Sequence, residues 1–285
     1  MRNFEEIKRF IASIEDADFA VPVGIDMDTT IADMLKHIGT TDSNLREGIY
    51  STFAEWEDNG IFSHEQLRHI LTVALDNEHL FLGLGESGTD TVFTRAFSSL
   101  VICAVLSQFE DDPYLSEAEI SAVKDKILRY VREEKDFRGY VEGRGWAHAI
   151  AHAADMLNNI AYCVGREGIL HVLDAVAQAV SNGHLVYTAL EDERLADASI
   201  SCIHTAIVEH GIIEAEVFCG WLKNVGKMVK REVMPRDYNI NANRKAFIKS
   251  IYAKLVIDTD FDGHKDAHDK ICECLLEIIR EIYED

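Results

Sequence analysis

Apolar residues recur at three-and-four spacing along most of the chain. Phe247, Ile248, Ile251, Tyr252, Leu255 and Val256 form one such run, and Ile271, Leu275, Ile278, Ile279 and Ile282 another. This is the period of a helix with one buried face. No alternating pattern bounded by turn residues competes with it, so the chain reads as nearly all-α. Asp58-Asn59-Gly60 stops one helix, and Ser63 with Gln66 starts the next as a capping box, as Ser116 with Glu119 does later. Asn182-Gly183 and His210-Gly211 read as glycine C-terminal caps. Pro22, Pro113 and Pro235 fall in connections. The pattern predicts twelve helices, over 3–14, 28–38, 42–58, 63–76, 90–109, 116–132, 145–164, 167–181, 192–209, 213–230, 240–257 and 265–283.

From residue 42 onward the predicted helices come in pairs, a long apolar one followed by a more charged one. Arg46, Arg95, Arg144, Arg194 and Arg244 stand 49, 49, 50 and 50 residues apart, each at or near the start of a first helix. Stacked helix pairs of this length are the pattern of α-solenoids. The expected fold is an all-α, α/α superhelix of stacked antiparallel helix pairs, of the HEAT/armadillo kind. It is read as a single domain over 1–285, with an N-terminal pair over 1–41 and about five pairs over 42–285. The first helices are expected to line a concave inner face and the charged second helices to form a solvated outer layer.

Charge then narrows the partners. The chain has 28 Lys and Arg against 50 Asp and Glu, a net charge of −22. A binder of duplex nucleic acid or of an anionic membrane needs clustered cations, so neither is expected. The acidity serves solubility, or suits a cationic partner or a bound metal. Residues 1–16 are charged throughout and do not resemble a signal peptide. The most apolar uncharged stretch, 96–109, is short of the about 20 residues a membrane helix needs. A cytoplasmic protein is expected. Six scattered cysteines without a C-x-x-C pair support neither a zinc ribbon nor thioredoxin chemistry. The Gly83–Gly88 segment is no phosphate loop, because Glu86 would repel the anion and no strand precedes it.

The densest candidate for chemistry is residues 138–155, Arg-Gly-Tyr-Val-Glu-Gly-Arg-Gly-Trp-Ala-His-Ala-Ile-Ala-His-Ala-Ala-Asp. Three glycines within seven residues precede an alanine-rich helix. His148, His152, Asp155 and Asn159 fall at i, i+4, i+7 and i+11, one face of that helix. Two imidazoles and a carboxylate on one face can hold a metal, although Ala149 stands where H-E-x-x-H has its glutamate. They can equally line a ligand groove, or form a structural network bonded to neighbouring backbone. Among the pairs compared, only the third carries His, His and Asp at these positions.

The 138–155 string resembles the hallmark of a bacterial family of uncharacterised proteins, domain of unknown function 2785. Thr91–Leu100 and Glu193-Arg194-Leu195 resemble its two lesser motifs. The resemblance implies a helical-repeat protein of a Gram-positive bacterium and implies no activity. It carries over Arg95, Trp146, His148, His152, Asp155, Glu193 and Arg194. Arg95 and the Glu193-Arg194 pair are read either as clamps on neighbouring loops or as anion-recognition groups beside the histidines.

A separate segment, residues 258–269, matches an EF-hand loop in part. Asp258, Asp260 and Asp262 occupy positions one, three and five, Gly263 gives the turn, and Asp266 and Asp269 stand at nine and twelve. Asp at twelve and Lys265 at eight depart from the pattern, and no second loop pairs with it. It is read as a calcium site or as a solvated acidic turn. The leading functional expectation is a non-enzymatic binding or scaffolding protein. Its protein or small-molecule ligand docks on the inner face around Arg144, Trp146 and His148. The alternative is a metal-assisted enzyme using His148, His152 and Asp155, with Arg95 or Arg194 holding an anionic substrate.

Overall fold

The computed structural model describes every residue except 108, 110, 111, 259, 260, 262 and 285. Among the described residues there are twelve α-helices and one short hairpin. The chain divides into two compact units, Met1–Met156 and Leu157–Asp285.

The first unit holds α1 (Phe4–Glu15), α2 (Met27–His37), α3 (Ser43–Asp58), α4 (His64–Ala74), α5 (Thr91–Leu106) and α6 (Glu117–Glu133). The hairpin strands β1 (Tyr140–Val141) and β2 (Gly145–Trp146) follow, then the start of α7 (Ala149–Tyr162). Both expected capping boxes form: the Ser63 and Ser116 hydroxyls accept the N–H of Gln66 and Glu119, whose side chains return to the cap backbone. A third stands at Asn3 and Glu6. Helix α3 packs between α1 and α5, and α4 between α2 and α5. Helix α5 is buried nearly all round, as its continuous apolar run requires, whereas α6 buries a stripe centred on Ile120, Val123, Ile127 and Val131.

The second unit holds the remainder of α7, then α8 (Arg166–Val180), α9 (Glu191–Ile203), α10 (Ala215–Gly226), α11 (Arg236–Ile257) and α12 (Lys265–Glu284). Helix α9 continues into a π-helical turn over His204–Glu209. There the His210 N–H reaches the Thr205 carbonyl five residues back, at 3.2 Å. Helix α9 packs on α8 and α11, and α12 on α10 and α11.

Two local expectations are corrected. The helix expected over 145–164 begins at Ala149, because Gly145 takes a left-handed φ of 77° and pairs in the hairpin. Arg144 therefore lies in the hairpin turn and is not a helix-start arginine. The fourth residue of α7, matching Arg46 in α3, is His152. Gly211 is left-handed, with φ 58°, but Gly183 is not. What Gly183 serves is close approach: a Cβ there would lie 2.5 Å from Arg236 Cγ.

Candidate functional site

The hairpin is held from below by Arg46. This side chain is 0% exposed, yet it faces carbonyls and rings instead of a carboxylate. Its guanidinium donates to the carbonyls of Thr40 (2.6 Å), Arg144 (2.7 Å) and Trp146 (3.2 Å). It also lies over the rings of Phe93 and Phe97, at 4.4 and 4.5 Å. Burial lowers its pKa to about 10, so the cation persists at neutral pH. Gly145 is required here twice over. Its left-handed φ favours glycine, and a Cβ would lie 2.8 Å from Ser43 Cβ.

A second network fixes the hairpin's open end. Arg95, also 0% exposed, makes a bidentate pair with Glu134, Nε to Oε2 at 2.7 Å and a terminal nitrogen to Oε1 at 3.0 Å. Its other donors reach the carbonyls of Leu82 and Gly83 and the Thr91 hydroxyl. The Arg95 guanidinium is thus engaged inside the protein by Glu134 and by loop carbonyls. Glu134 also accepts the N–H groups of Lys135 and Asp136. Buried Asp136 pairs with Arg138, whose guanidinium reaches the Thr89 carbonyl at 2.6 Å. Burial raises the Asp136 pKa, but Arg138 and the N–H groups of Gly88 and Arg138 outweigh it and hold the carboxyl below its ordinary value. Backbone bonds from Ala147 to Gly139 and from His148 to Arg138 extend the hairpin to its ends.

Upon this base sits a file of rings running from solvent to core. Tyr140 meets Trp146 edge-on at 5.3 Å, Trp146 stacks on His148 at 4.1 Å, His148 meets His152 at 5.7 Å, and His152 meets Phe97 at 5.4 Å. Tyr140 is 60% exposed and Trp146 41%, while His152 is 6%. His152 Nδ1 donates to the Ala96 carbonyl at 3.0 Å, which places its proton on Nδ1. His148 is not in the helix as expected. It precedes α7 with a left-handed φ of 51°, and its carbonyl accepts the His152 N–H. Exposed Arg144 pairs with Asp90. Asp155 is half-buried on α7.

Of the expected site residues, the structure brings Trp146, His148 and His152 together, with Arg144 in the adjoining turn. Glu193, exposed, and Arg194, half-buried, lie in the first turn of α9 in the second unit. Among the described residues no group of three or more His, Cys, Asp or Glu is placed to hold a metal ion. In the 258–269 loop, Asp258 accepts from His204 Nε2 at 2.8 Å, and Asp269 pairs with Lys265. Asp260 and Asp262 lie outside the described residues.

Sequence reasoning did not single out His204. It stands on the π-helical turn, beside a cavity of about 550 Å³ that Tyr162, Asp197, Glu209, Lys254 and Asp258 also line. Its partner Asp258 is 54 residues away, a separation that no motif spacing marks. Tyr140 was readable as part of the 138–155 string, but as a strand residue it shares no helical face with the histidines.

An all-α chain with a clamped, ring-bearing hairpin before a central helix is the class these features define. The family model described as Protein of unknown function (DUF2785) matches residues 80–253, and the chain belongs to that family. No curated protein and no solved structure matches the chain. The match begins after Arg46, so the cation under the hairpin comes from outside the matched segment.

Proposed function

We propose that this protein is a non-enzymatic binding protein whose recognition element is the hairpin over 138–148. One observation carries the reading. Tyr140 and Trp146 are exposed, large and apolar, yet their backbone is tied down by buried Arg46 and by the Arg95–Glu134–Asp136–Arg138 chain. Rigid aromatic rings bind with little entropy lost, which is why they anchor binding surfaces. The chain's net charge of −22 favours a cationic peptide, whose Lys or Arg groups can sit on the ring faces. The test is to pan a phage-displayed random-peptide library on the intact protein. Clones rich in Lys and Arg that bind Tyr140→Ala/Trp146→Ala about tenfold more weakly support the reading, since an exposed cation–π contact and lost ring area are worth about that much. Clones that bind both proteins equally contradict it.

Two wider parts of the reading rest on packing and composition. Within the first unit odd helices pack on odd ones, α1 on α3 and α3 on α5, with α2 on α4; within the second, α9 packs on α11 and α10 on α12. That alternation favours stacked helix pairs of the solenoid kind in each unit. Work in the cytoplasm suits six cysteines that are all free thiols; among the described residues no helix is long and apolar enough to cross a membrane.

A catalytic alternative is favoured by a different observation, the His204–Asp258 pair beside its cavity. A carboxylate on Nε2 orients the ring and leaves Nδ1 to take a proton, the arrangement of a general base. Hydrolysis of p-nitrophenyl acetate above background that is lost in His204→Gln supports this alternative. Equal rates in both proteins contradict it.

A further inference from the structure

One stretch of this acidic chain is strongly basic. Residues 227–249 contain seven of the chain's 28 basic residues and two of its 50 acidic ones. Among the described residues, Arg236 alone of the seven is in an ion pair, with Asp237. A cavity of about 560 Å³ opens in this stretch. Lys230, Arg231 and Lys245 are among the residues that line it, and Met228, Val229 and Ile282 supply apolar wall.

The loop that carries the cations is pinned in place. Asn241 accepts the Val229 N–H at 2.8 Å and donates to the Val229 carbonyl at 2.9 Å. Arg244 donates to the Lys227 carbonyl, and Asp237 accepts the N–H groups of Glu232 and Val233 at 2.9 and 2.7 Å. Lys245 is held over the Tyr283 ring at 3.9 Å. Exposed cations on an irregular loop normally swing freely; here three bonding side chains of α11 fix the backbone between them. Such preorganisation lowers the cost of binding a ligand at that loop.

We propose that this cavity binds a small organic anion with one negative head group and an apolar body, the head meeting Lys230, Arg231 and Lys245 and the body lying on Met228, Val229 and Ile282. The volume is that of a small-molecule site. A polyanion would extend into the field of the remaining acidic surface, whereas a small anion stays within about 8 Å of the cations, the screening length at physiological salt.

The probe is 8-anilinonaphthalene-1-sulfonate, compared with N-phenyl-1-naphthylamine, which has the same rings and no charge. Both are titrated by fluorescence into the intact wild-type protein and into Lys230→Glu/Arg231→Glu, whose fold is checked by circular dichroism. Wild type is expected to bind the sulfonate about tenfold more tightly than the amine, with the preference falling as salt rises and vanishing in the variant. Equal binding of the two probes by wild type, or a sulfonate affinity unchanged by the charge reversal, overturns the proposal. Should the double variant fail to fold, Lys245→Gln and the salt dependence give the same decision.

Discussion

The guanidinium of Arg46 donates to the carbonyl oxygen of Arg144 at 2.7 Å, joining α3 to the hairpin turn across 98 residues of chain. One buried cation thereby supports a surface that a family motif builds. It is solvated by three carbonyls and two ring faces, not by a carboxylate, so its flat fork is essential to the arrangement.

Replacing that fork should therefore be costly even when charge is kept. Arg46→Lys is expected to lose about 2–4 kcal/mol in urea unfolding, because an ammonium cannot serve three carbonyls in this geometry. The amides of Ala147 and His148, which close the hairpin onto Gly139 and Arg138, should then exchange faster with deuterium. Wild-type stability and unchanged exchange would show that the clamp is dispensable.

Glu134 answers the charge of Arg95 in a site where both are fully buried. Glu134→Gln is expected to destabilise by about 3–5 kcal/mol, the usual result of stranding one member of a buried pair. Arg95→Met/Glu134→Leu should recover much of that loss in the same denaturation experiment, and a double variant as unstable as the single one would contradict the account.

Glu57, 5% exposed at the end of α3, has its pKa pushed up to about 7 by burial and then by the nearby charges of Asp58 and Asp112. The folded state thus holds this proton more tightly than the unfolded chain does. Its contribution to stability is present at low pH and is lost as pH rises through about 7. Glu57→Gln is expected to stabilise by about 3 kcal/mol at pH 8 and by less than about 1 kcal/mol at pH 5. Thermal unfolding of both proteins at the two pH values checks the sign.

The 258–269 loop has its own outcome. Asp258 and Asp269 are already engaged by His204 and Lys265, and the Lys265 hydrogen bond holds the Asp269 pKa below its ordinary value. Adding calcium to about 1 mM, the weak end of known sites, is expected to leave the melting temperature unchanged. A rise of several degrees would show a calcium site there.

The helices were legible because burial along them is periodic and their starts carry polar caps. Ser63 with Gln66 and Ser116 with Glu119 are local signals, and they formed as read. The hairpin was illegible for the same reason: its strands are two residues long, too short for an alternation to register. The arginine spacing was real in sequence but misplaced at Arg144, where a glycine turn displaces the helix start and puts His152 at the matching position, and at Arg244, which lies in the third turn of α11 because that helix begins at Arg236. The ring file was half visible, as Trp146, His148 and His152, whereas Arg46 and Tyr140 join it only through contacts that spacing does not encode. The basic stretch over 227–249 was missed, because the net charge of −22 masks a local excess of cations.

The central claim is that the clamped hairpin recognises a ligand through Tyr140 and Trp146. Isothermal titration of a panned cationic peptide into wild type, Tyr140→Ala/Trp146→Ala and Arg46→Lys tests it most directly. The account predicts that the ring variant loses about tenfold in affinity while keeping wild-type stability, and that the clamp variant loses affinity as well. Peptide affinity that is equal in all three proteins would contradict it.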